Sequence, residues 1–311
     1  MIIVGAGMAG LLAAHCFRGR KEGVLVVEQA PGPVDNHGAL LRFRTDVVQR
    51  VTGVPLKPVM VHKAIMEPDG ALTDKGTLLH NNAYSYKVTG RAQARSIISL
   101  EPGWRYVAGP DFVERLRRGL MITYDATVNV GDYRDAVKDN EALISTAPLP
   151  GVLSALGIDH DEVEFQARAI TTRRVPLKGV ELYQTVYCPS PLLEPYRISF
   201  DGGTMLVEYV AEGPQTAHQP WEWYAEKLLG FVPELAGEVT YKTQRHGKIV
   251  ALPKPRRREL IGAVTDQTGA FMLGRYGTWR QLLLDELAPD LNTIANMLEG
   301  GSWAVRRARS A

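Results

Sequence analysis

The chain opens on an unbroken apolar run, Ile2-Ile3-Val4, followed by Gly5-Ala6-Gly7-Met8-Ala9-Gly10. Leu11, Leu12, Ala13, Ala14 and Phe17 then recur at helical spacing, and Gly23 precedes a second apolar run at residues 24–27. Short apolar runs bounded by glycine read as buried strands, and the stretch between them as a helix packed on those strands. The opening therefore predicts strand, turn, helix and strand, ending at Glu28.

Further on, Thr45-Asp46 predicts the start of a short helix through Val51, closed by Gly53. Residues 59–65 predict a strand and residues 90–98 a basic helix carrying Arg91 and Arg95. Residues 110–120 predict a helix with Pro110 first, Asp111 and Glu114 early, and Arg115, Arg117 and Arg118 late, the charge order a helix dipole favours. Short strands are expected at residues 122–124 and 127–130, and a buried strand running into a turn at residues 142–148.

From residue 165 to 210 the texture changes to alternating β-rich segments, including residues 180–187 and 204–209, which favour a mixed or antiparallel sheet. Residues 221–229 form an amphipathic helical pattern whose aromatics read as packing. Residues 271–275 predict a strand opening into a turn. Residues 278–298 predict a long helix interrupted at Pro289, before Gly300-Gly301 and a basic tail with Arg306, Arg307 and Arg309.

The opening unit has the spacing of a dinucleotide site. In a G-x-G-x-x-G turn the first glycine, Gly5, makes the tight turn, Gly7 lets a diphosphate approach the backbone, and Gly10 lets helix and strand pack closely. The helix N-terminus offers N–H groups and partial positive charge to that diphosphate. Glu28 lies about 20 residues beyond the turn, where an acid binds ribose hydroxyls. Such an acid repels the extra phosphate of NADP and leaves NAD and FAD open.

Composition narrows the rest. The 311 residues suffice for one large or two modest domains, and 45% hydrophobic with 23% charged residues is the balance of an ordinary globular protein. A net charge of +2 is too small to imply nucleic acid. Cys16 and Cys188 lie far apart without ligand spacing, so no metal site is expected. A first strand at residue 2 leaves no room for a leader, and no apolar run is long enough to span a bilayer, so a cytoplasmic protein is expected.

The second half carries a resemblance. Gly274-Arg-Tyr-Gly-Thr-Trp-Arg-Gln-Leu-Leu-Leu-Asp285, preceded by Gly247-Lys-Ile-Val-Ala-Leu-Pro253, resembles the closing segment of UDP-galactopyranose mutases and their amine-oxidase-like FAD relatives. The resemblance implies that Gly274 and Arg275 contact the FAD diphosphate and that Gln281, Leu282 and Leu283 lie beside the flavin at a helix N-terminus. It implies that Val128 meets the adenine and that Thr146-Ala147-Pro148 closes over the cofactor.

Tyr187 through Tyr196-Arg197 is similar to a mutase segment in which an arginine grips the substrate diphosphate. Arg197 is therefore a candidate anion clamp, the alternative being a surface β pair with Tyr196. The loop His37-Gly-Ala-Leu-Leu-Arg-Phe-Arg-Thr45 resembles one that lies beside the flavin, with Arg44 at the position of a histidine.

The fold class expected is α/β, a discontinuous Rossmann-like FAD-binding domain over residues 1–57, 106–157 and 245–311, with a β-rich substrate domain over residues 58–105 and 158–244. Candidate cofactor-binding residues are Gly5, Gly7, Met8, Ala9, Gly10, Glu28, Gln29, Arg44, Val128, Thr146, Ala147, Gly274, Arg275, Gln281, Leu282 and Leu283. His37, Tyr187, Arg197 and Lys248 are the candidates for catalysis. By the resemblance, the activity expected is FAD-dependent oxidation of a C–H bond next to an amine, with a mutase-like sugar isomerisation as the rival. The partner expected is a small molecule, anionic if the arginines line one face. The clusters Arg256-Arg257-Arg258 and Arg91 with Arg95 leave open a flavoenzyme acting on a nucleobase or a group attached to nucleic acid.

Overall fold

The structure, a computed structural model, describes residues 1–33, 38–92, 97–129, 131–133, 142–210 and 219–299. Its strands in chain order are β1 (Ile2–Val4), β2 (Leu25–Val27), β3 (Arg42–Phe43), β4 (Leu56–Met66), β5 (Leu72–Thr73), β6 (Gly103–Ala108) and β7 (Met121–Thr123). They continue with β8 (Leu143–Ser145), β9 (Ala167–Pro176), β10 (Leu182–Tyr187), β11 (Arg197–Gly202), β12 (Thr204–Tyr209), β13 (Thr240–Ile249) and β14 (Phe271–Met272).

The β-branched residues of β1 pair in parallel with β2 on one side and β8 on the other, giving a sheet of order β14-β8-β1-β2-β7 in which every pairing is parallel. Such a sheet is buried on both faces, and alternate residues serve the two sides. Ile3, Val26, Ile144 and Phe271 pack with Leu11, Leu12, Ala13, Ala14 and Phe17 of the helix Met8–Phe17. Val4, Leu143 and Ala270 pack on the opposite side with Tyr133. The helices Leu149–Leu156 and Lys254–Thr268 meet there around Met272 and Ile249.

The second sheet runs β13-β9-β12-β11-β10-β4-β6-β3, with β5 beside β4, and only its β10–β4 pairing is parallel. One face is apolar: Ala64, Val175, Val186, Ile198, Phe200, Met205 and Val207 bury against Trp221, Tyr224 and Ala225 of the helix Trp221–Leu229. The other face carries the polar groups beside a second apolar patch: the period of two that sends Ile198 and Val207 inward sends Arg197 and Glu208 the other way, where Ile65, Ile170 and Tyr196 pack with Tyr84 and Val88 of the helix Leu78–Thr89. The five parallel strands lie within residues 1–57, 106–157 and 245–311, while β4, β6 and β13 run unbroken through residues 57–58, 105–106 and 244–245.

Two polar contacts hold the second sheet to its connections. Arg42 on β3 reaches across to β11, donating Nη2 and Nε to Asp201 Oδ1 at 3.0 and 3.1 Å, Nη1 to Thr185 Oγ1 at 3.2 Å, and Nη2 to the Phe200 carbonyl. Lys87, in the helix Leu78–Thr89, donates Nζ to the carbonyls of Cys188, Ser190 and Pro195 at 2.9, 2.7 and 2.8 Å and to that of Leu193, gathering the β10–β11 connection around one ammonium.

Several expected elements are corrected. Gly90 ends a helix instead of starting one: the helix is Leu78–Thr89, begun by the Thr77 hydroxyl accepting from the His80 N–H at 3.2 Å. Asn81 and Ser85 lie on its buried face with Tyr84 and Val88, which hid the helical period. Residues 93–96 of the expected basic helix, including Arg95, lie outside the described residues.

Residues 127–129 are not a strand. Asn129 Oδ1 instead accepts from the Gly131 and Asp132 N–H groups at 2.7 and 3.2 Å, a turn closed by its own side chain. The long helix expected at residues 278–298 begins only at Ala288 and runs to Glu299. Trp279, with φ 44, is in the left-handed region that a helix excludes, and Pro289 stands in the first turn, where proline is tolerated.

Asp201 and Arg42 are both largely buried, with side chains 17% and 10% exposed. Removing one partner of such a pair leaves a buried charge uncompensated. Asp201→Ala should therefore lower unfolding free energy by about 3 kcal/mol in a chemical denaturation series. Burial also pushes the Cys188 thiol up to about 12, whereas Cys16 is exposed. A thiol reagent at mildly alkaline pH should label Cys16 in the native protein and Cys188 only after unfolding.

Candidate active site

In an open parallel sheet the ligand crevice lies past the carboxyl ends of the strands where strand order reverses. Here that point is between β1, which leads to β2 on one side, and β8 on the other. Gly5 follows β1 with φ +97, and a Cβ on it would come within 2.4 Å of Thr146 Oγ1. Thr146, just past β8, donates its N–H to the Val4 carbonyl at 2.9 Å and its hydroxyl to the same oxygen at 2.8 Å. The ends of β1 and β8 are thereby locked together.

Gly10 allows the helix to sit on this turn, for a Cβ there would lie 1.9 Å from the Gly5 carbonyl oxygen. At Gly7 a Cβ would meet nothing within 4 Å. Gly7 is the N-cap of the helix, no side chain caps the following N–H groups, and the first turn carries no acid. Open space faced by free N–H groups and the positive end of a helix suits a diphosphate. Met8 and Ala9 occupy that first turn.

Gly274 arrives from the far end of the chain. With φ +85, it places its Cα so that a Cβ would approach Ala9 Cβ to 2.8 Å and Thr146 Cβ to 4.0 Å. Leu273 donates its N–H to the Ser145 carbonyl at 2.8 Å, continuing the sheet up to that turn. The two glycine turns, 264 residues apart between Gly10 and Gly274, meet on the same spot.

Glu28 follows β2 directly, beside them, its carboxylate accepting from the Ala6 N–H at 2.6 Å and the Ala30 N–H at 3.0 Å. Gln29 is exposed next to it. Val128 is half-buried against the Val4, Tyr133, Leu143 and Ala270 cluster, and Ala147 packs at the edge of the same cluster.

The segment after Gly274 carries polar atoms left open. Arg275 donates Nη2 to the Gly247 carbonyl at 3.0 Å, while its Nε is buried without a partner, as are Trp279 Nε1 and Asp285 Oδ1. Gln281 donates Nε2 to the Ile249 carbonyl at 2.9 Å, and Leu282 and Leu283 follow in the loop ahead of Asp285. Asp285, which sequence inspection passed over, is the anchor of this region. Its Oδ2 accepts from the Arg44 N–H at 2.8 Å, the Thr45 N–H at 2.9 Å and the Thr45 hydroxyl at 3.2 Å. Arg44 itself turns its guanidinium to Glu286 at 3.0 Å.

The polar face of the second sheet brings three of the four catalytic candidates together. Tyr187 on β10 stands directly across from Arg197 on β11. Lys248 on β13 lies 4.7 Å from the ring centre of Tyr196. Arg197 is not a free clamp: Glu208 holds its Nε and its Nη2, the latter at 2.7 Å. Nor is Tyr196 a surface residue, being 0% exposed with its hydroxyl donating to Glu208 at 2.7 Å.

Burial works against ionisation of Glu208, but Arg197, Lys248 and the donated hydrogen bonds outweigh it and keep its carboxyl below the usual range. Burial raises the Tyr187 phenol above its ordinary value, against the pull of Arg197, Arg105 and Arg42. Tyr187 also meets Tyr84 edge-on at 5.3 Å. His37 lies outside the described residues.

Among the described residues no group of His, Cys, Asp and Glu could hold a metal ion, and no helix is long and apolar enough to cross a membrane. The basic run Arg256-Arg257-Arg258 is on the helix Lys254–Thr268, with Arg256 paired to Glu164 at 3.0 Å and Glu259 at 2.8 Å.

Sheet order, glycine turn and terminal acid together define a dinucleotide-binding fold, a Rossmann-like domain joined to a β-rich second lobe. The open cradle at Gly7 and the unpartnered atoms of Arg275 and Asp285 fit FAD.

No family model and no curated protein matches the chain. Among solved structures it is similar to a CLA-producing fatty acid isomerase from P. acnes, with TM-score 0.55 and 11% identity over 95% of this chain and 97% of that one. It is similar to a flavoprotein/dehydrogenase from Cytophaga hutchinsonii, with TM-score 0.52 and 13% identity over 96% and 78% of the two chains. The PF1083 protein from Pyrococcus furiosus has the fold too, with TM-score 0.53 and 12% identity over 96% and 97%. At these identities the likeness is one of fold.

Two glycines should separate folding from cofactor binding. Gly7→Val places its side chain in open space and should leave thermal stability close to wild type, while lowering FAD affinity at least roughly tenfold in a fluorescence titration. Gly10→Ala forces its Cβ into the Gly5 carbonyl and should destabilise the apoprotein by about 3 kcal/mol.

Proposed function

We propose that the protein is an FAD-dependent oxidoreductase that removes hydride from a C–H bond next to an amine, in a small substrate that also carries an anionic group. The observation that carries this reading is the meeting of Gly10, Ala9, Thr146 and Gly274 around open space at Gly7. Bound there, FAD supplies two-electron acceptance. The chain supplies placement and polarity.

Glu28 is sited to take the ribose hydroxyls, and the N–H groups of the first helical turn to take the diphosphate. Arg275, Tyr276 and Gln281 donate to the carbonyls of Gly247, His246 and Ile249, fastening β13 and its Lys248 beside the cofactor segment. The edge-on Tyr84 and Tyr187 rings provide a wall that excludes water.

The charge of the polar face supports an amine as the reacting group. Loss of hydride from the adjacent carbon is driven by a neutral nitrogen lone pair, and nearby positive charge disfavours the ammonium form. Lys63 and Arg105, half-buried on that face with no carboxylate within ion-pair distance among the described residues, contribute charge of that sign. The anionic group of the substrate answers the same positive charge.

A redox-neutral isomerisation is the second reading, favoured by the resemblance of residues 274–285 to the mutases and by the fold shared with the P. acnes isomerase. Anaerobic mixing of FAD-loaded protein with amines bearing a carboxylate or phosphate separates the two. The oxidoreductase should lose its oxidised-flavin absorbance with at least one of them and recover it on addition of an electron acceptor. No bleaching by any amine, with turnover of UDP-galactopyranose by pre-reduced protein alone, would move the assignment to isomerisation.

A further inference from the structure

The cations Arg42, Lys63, Arg105 and Arg197 on the polar face are not alike. Arg42 has Asp201 and Arg197 has Glu208, each carboxylate within hydrogen-bond reach and buried. Lys63 and Arg105 have no carboxylate within ion-pair distance among the described residues, although both are half-buried. Arg105 donates Nη1 only to the carbonyl of its neighbour Trp104, at 2.6 Å.

The register explains how the two come together. On the antiparallel β4–β6 pair, Arg105 stands across from Val59 and Gly103 across from Val61. Lys63 is the next residue on that face of β4, and it pairs across to Thr185 of β10, two residues from Tyr187. Gly103 has no side chain to block the way, and the Arg105 guanidinium lies over it: a Cβ on Gly103 would be 3.3 Å from Arg105 Nη1. That turns the guanidinium along β6 toward the level of Lys63.

We propose that Lys63 and Arg105 form the anchor for an oxyanion, carboxylate or phosphate, on the substrate, with Tyr187 beside it and the Arg197–Glu208 pair as a fixed neighbour. Placing this anchor at the active site rests on the functional reading above, because that reading is what turns the polar face toward the cofactor. Two half-buried cations without a counterion repel each other, and an oxyanion between them removes the repulsion and accepts from both.

The electrostatics agree. Burial, then Arg105 and Arg44, hold the Lys63 ammonium below the ordinary lysine value, and only Glu101 opposes them. Arg44 is itself paired to Glu286. The role of anion clamp that the sequence suggests for Arg197 thus passes to two residues on the neighbouring strands, because Glu208 already holds Arg197.

Calorimetric titration of the purified protein with benzoate and, separately, with inorganic phosphate tests the anchor without any turnover. At least one of the two should bind saturably, and the arm that does identifies the oxyanion. Lys63→Met and Arg105→Met should each weaken that binding roughly tenfold or more, with FAD content unchanged. Lys63→Arg should restore much of it, and Lys178→Met, at an exposed pair with Glu234, should change nothing.

If neither oxyanion binds, or if the substitutions leave binding intact while the protein keeps its FAD, the anchor is wrong and the functional reading stands. If the protein takes up no FAD yet binds the oxyanion through Lys63 and Arg105, the anchor stands and the functional reading fails.

Discussion

The closeness of three backbone turns at the end of β1 governs the rest of the molecule. Gly5, Gly10 and Gly274 approach one another, Thr146 and Ala9 at separations that leave no room for a Cβ, and only at Gly7 does the packing open. Close packing with one deliberate opening converts a set of hydrogen-bonded strand ends into a cradle for a diphosphate. Because Gly274 reaches it from the C-terminal part of the chain, the parallel sheet has to be finished by β8 and β14 before the cradle exists.

The second lobe is built on a different balance. Its large sheet hides an apolar face under a helix and keeps on the opposite side buried ion pairs set beside a smaller apolar cluster. Desolvated charges are costly unless paired, and Arg42–Asp201 and Arg197–Glu208 meet that condition. Such fixed pairs hold their dipoles in place, so a substrate meets a field that need not reorganise around it. Asp285 receives the N–H groups of Arg44 and Thr45. It ties the loop leading from β3 to the loop that follows Gly274.

Much of the cradle was legible in the sequence because it depends on local rules. A strand must be apolar, a left-handed turn needs glycine, and the helix Trp221–Leu229 repeats its apolar residues at the helical period. The helix Leu78–Thr89 escaped notice because Asn81 and Ser85 occupy its buried face, so the period is not written in hydrophobic residues. The partners of Arg42 and Asp285 could not be read at all: they lie 159 and 241 positions away, and sequence spacing carries no trace of such pairings. Arg197 shows the same limit more sharply, since the residue that determines what it does, Glu208, becomes its neighbour only when β11 and β12 pair.

The central claim is that the two glycine turns enclose one FAD diphosphate. A crystal structure of the protein grown with FAD tests it most directly. The account predicts diphosphate density over Gly7, between the first turn of the helix Met8–Phe17 and Gly274, with the adenosine ribose on Glu28. Density for the cofactor elsewhere, or a Gly7 cradle that takes NAD and refuses FAD, would contradict it.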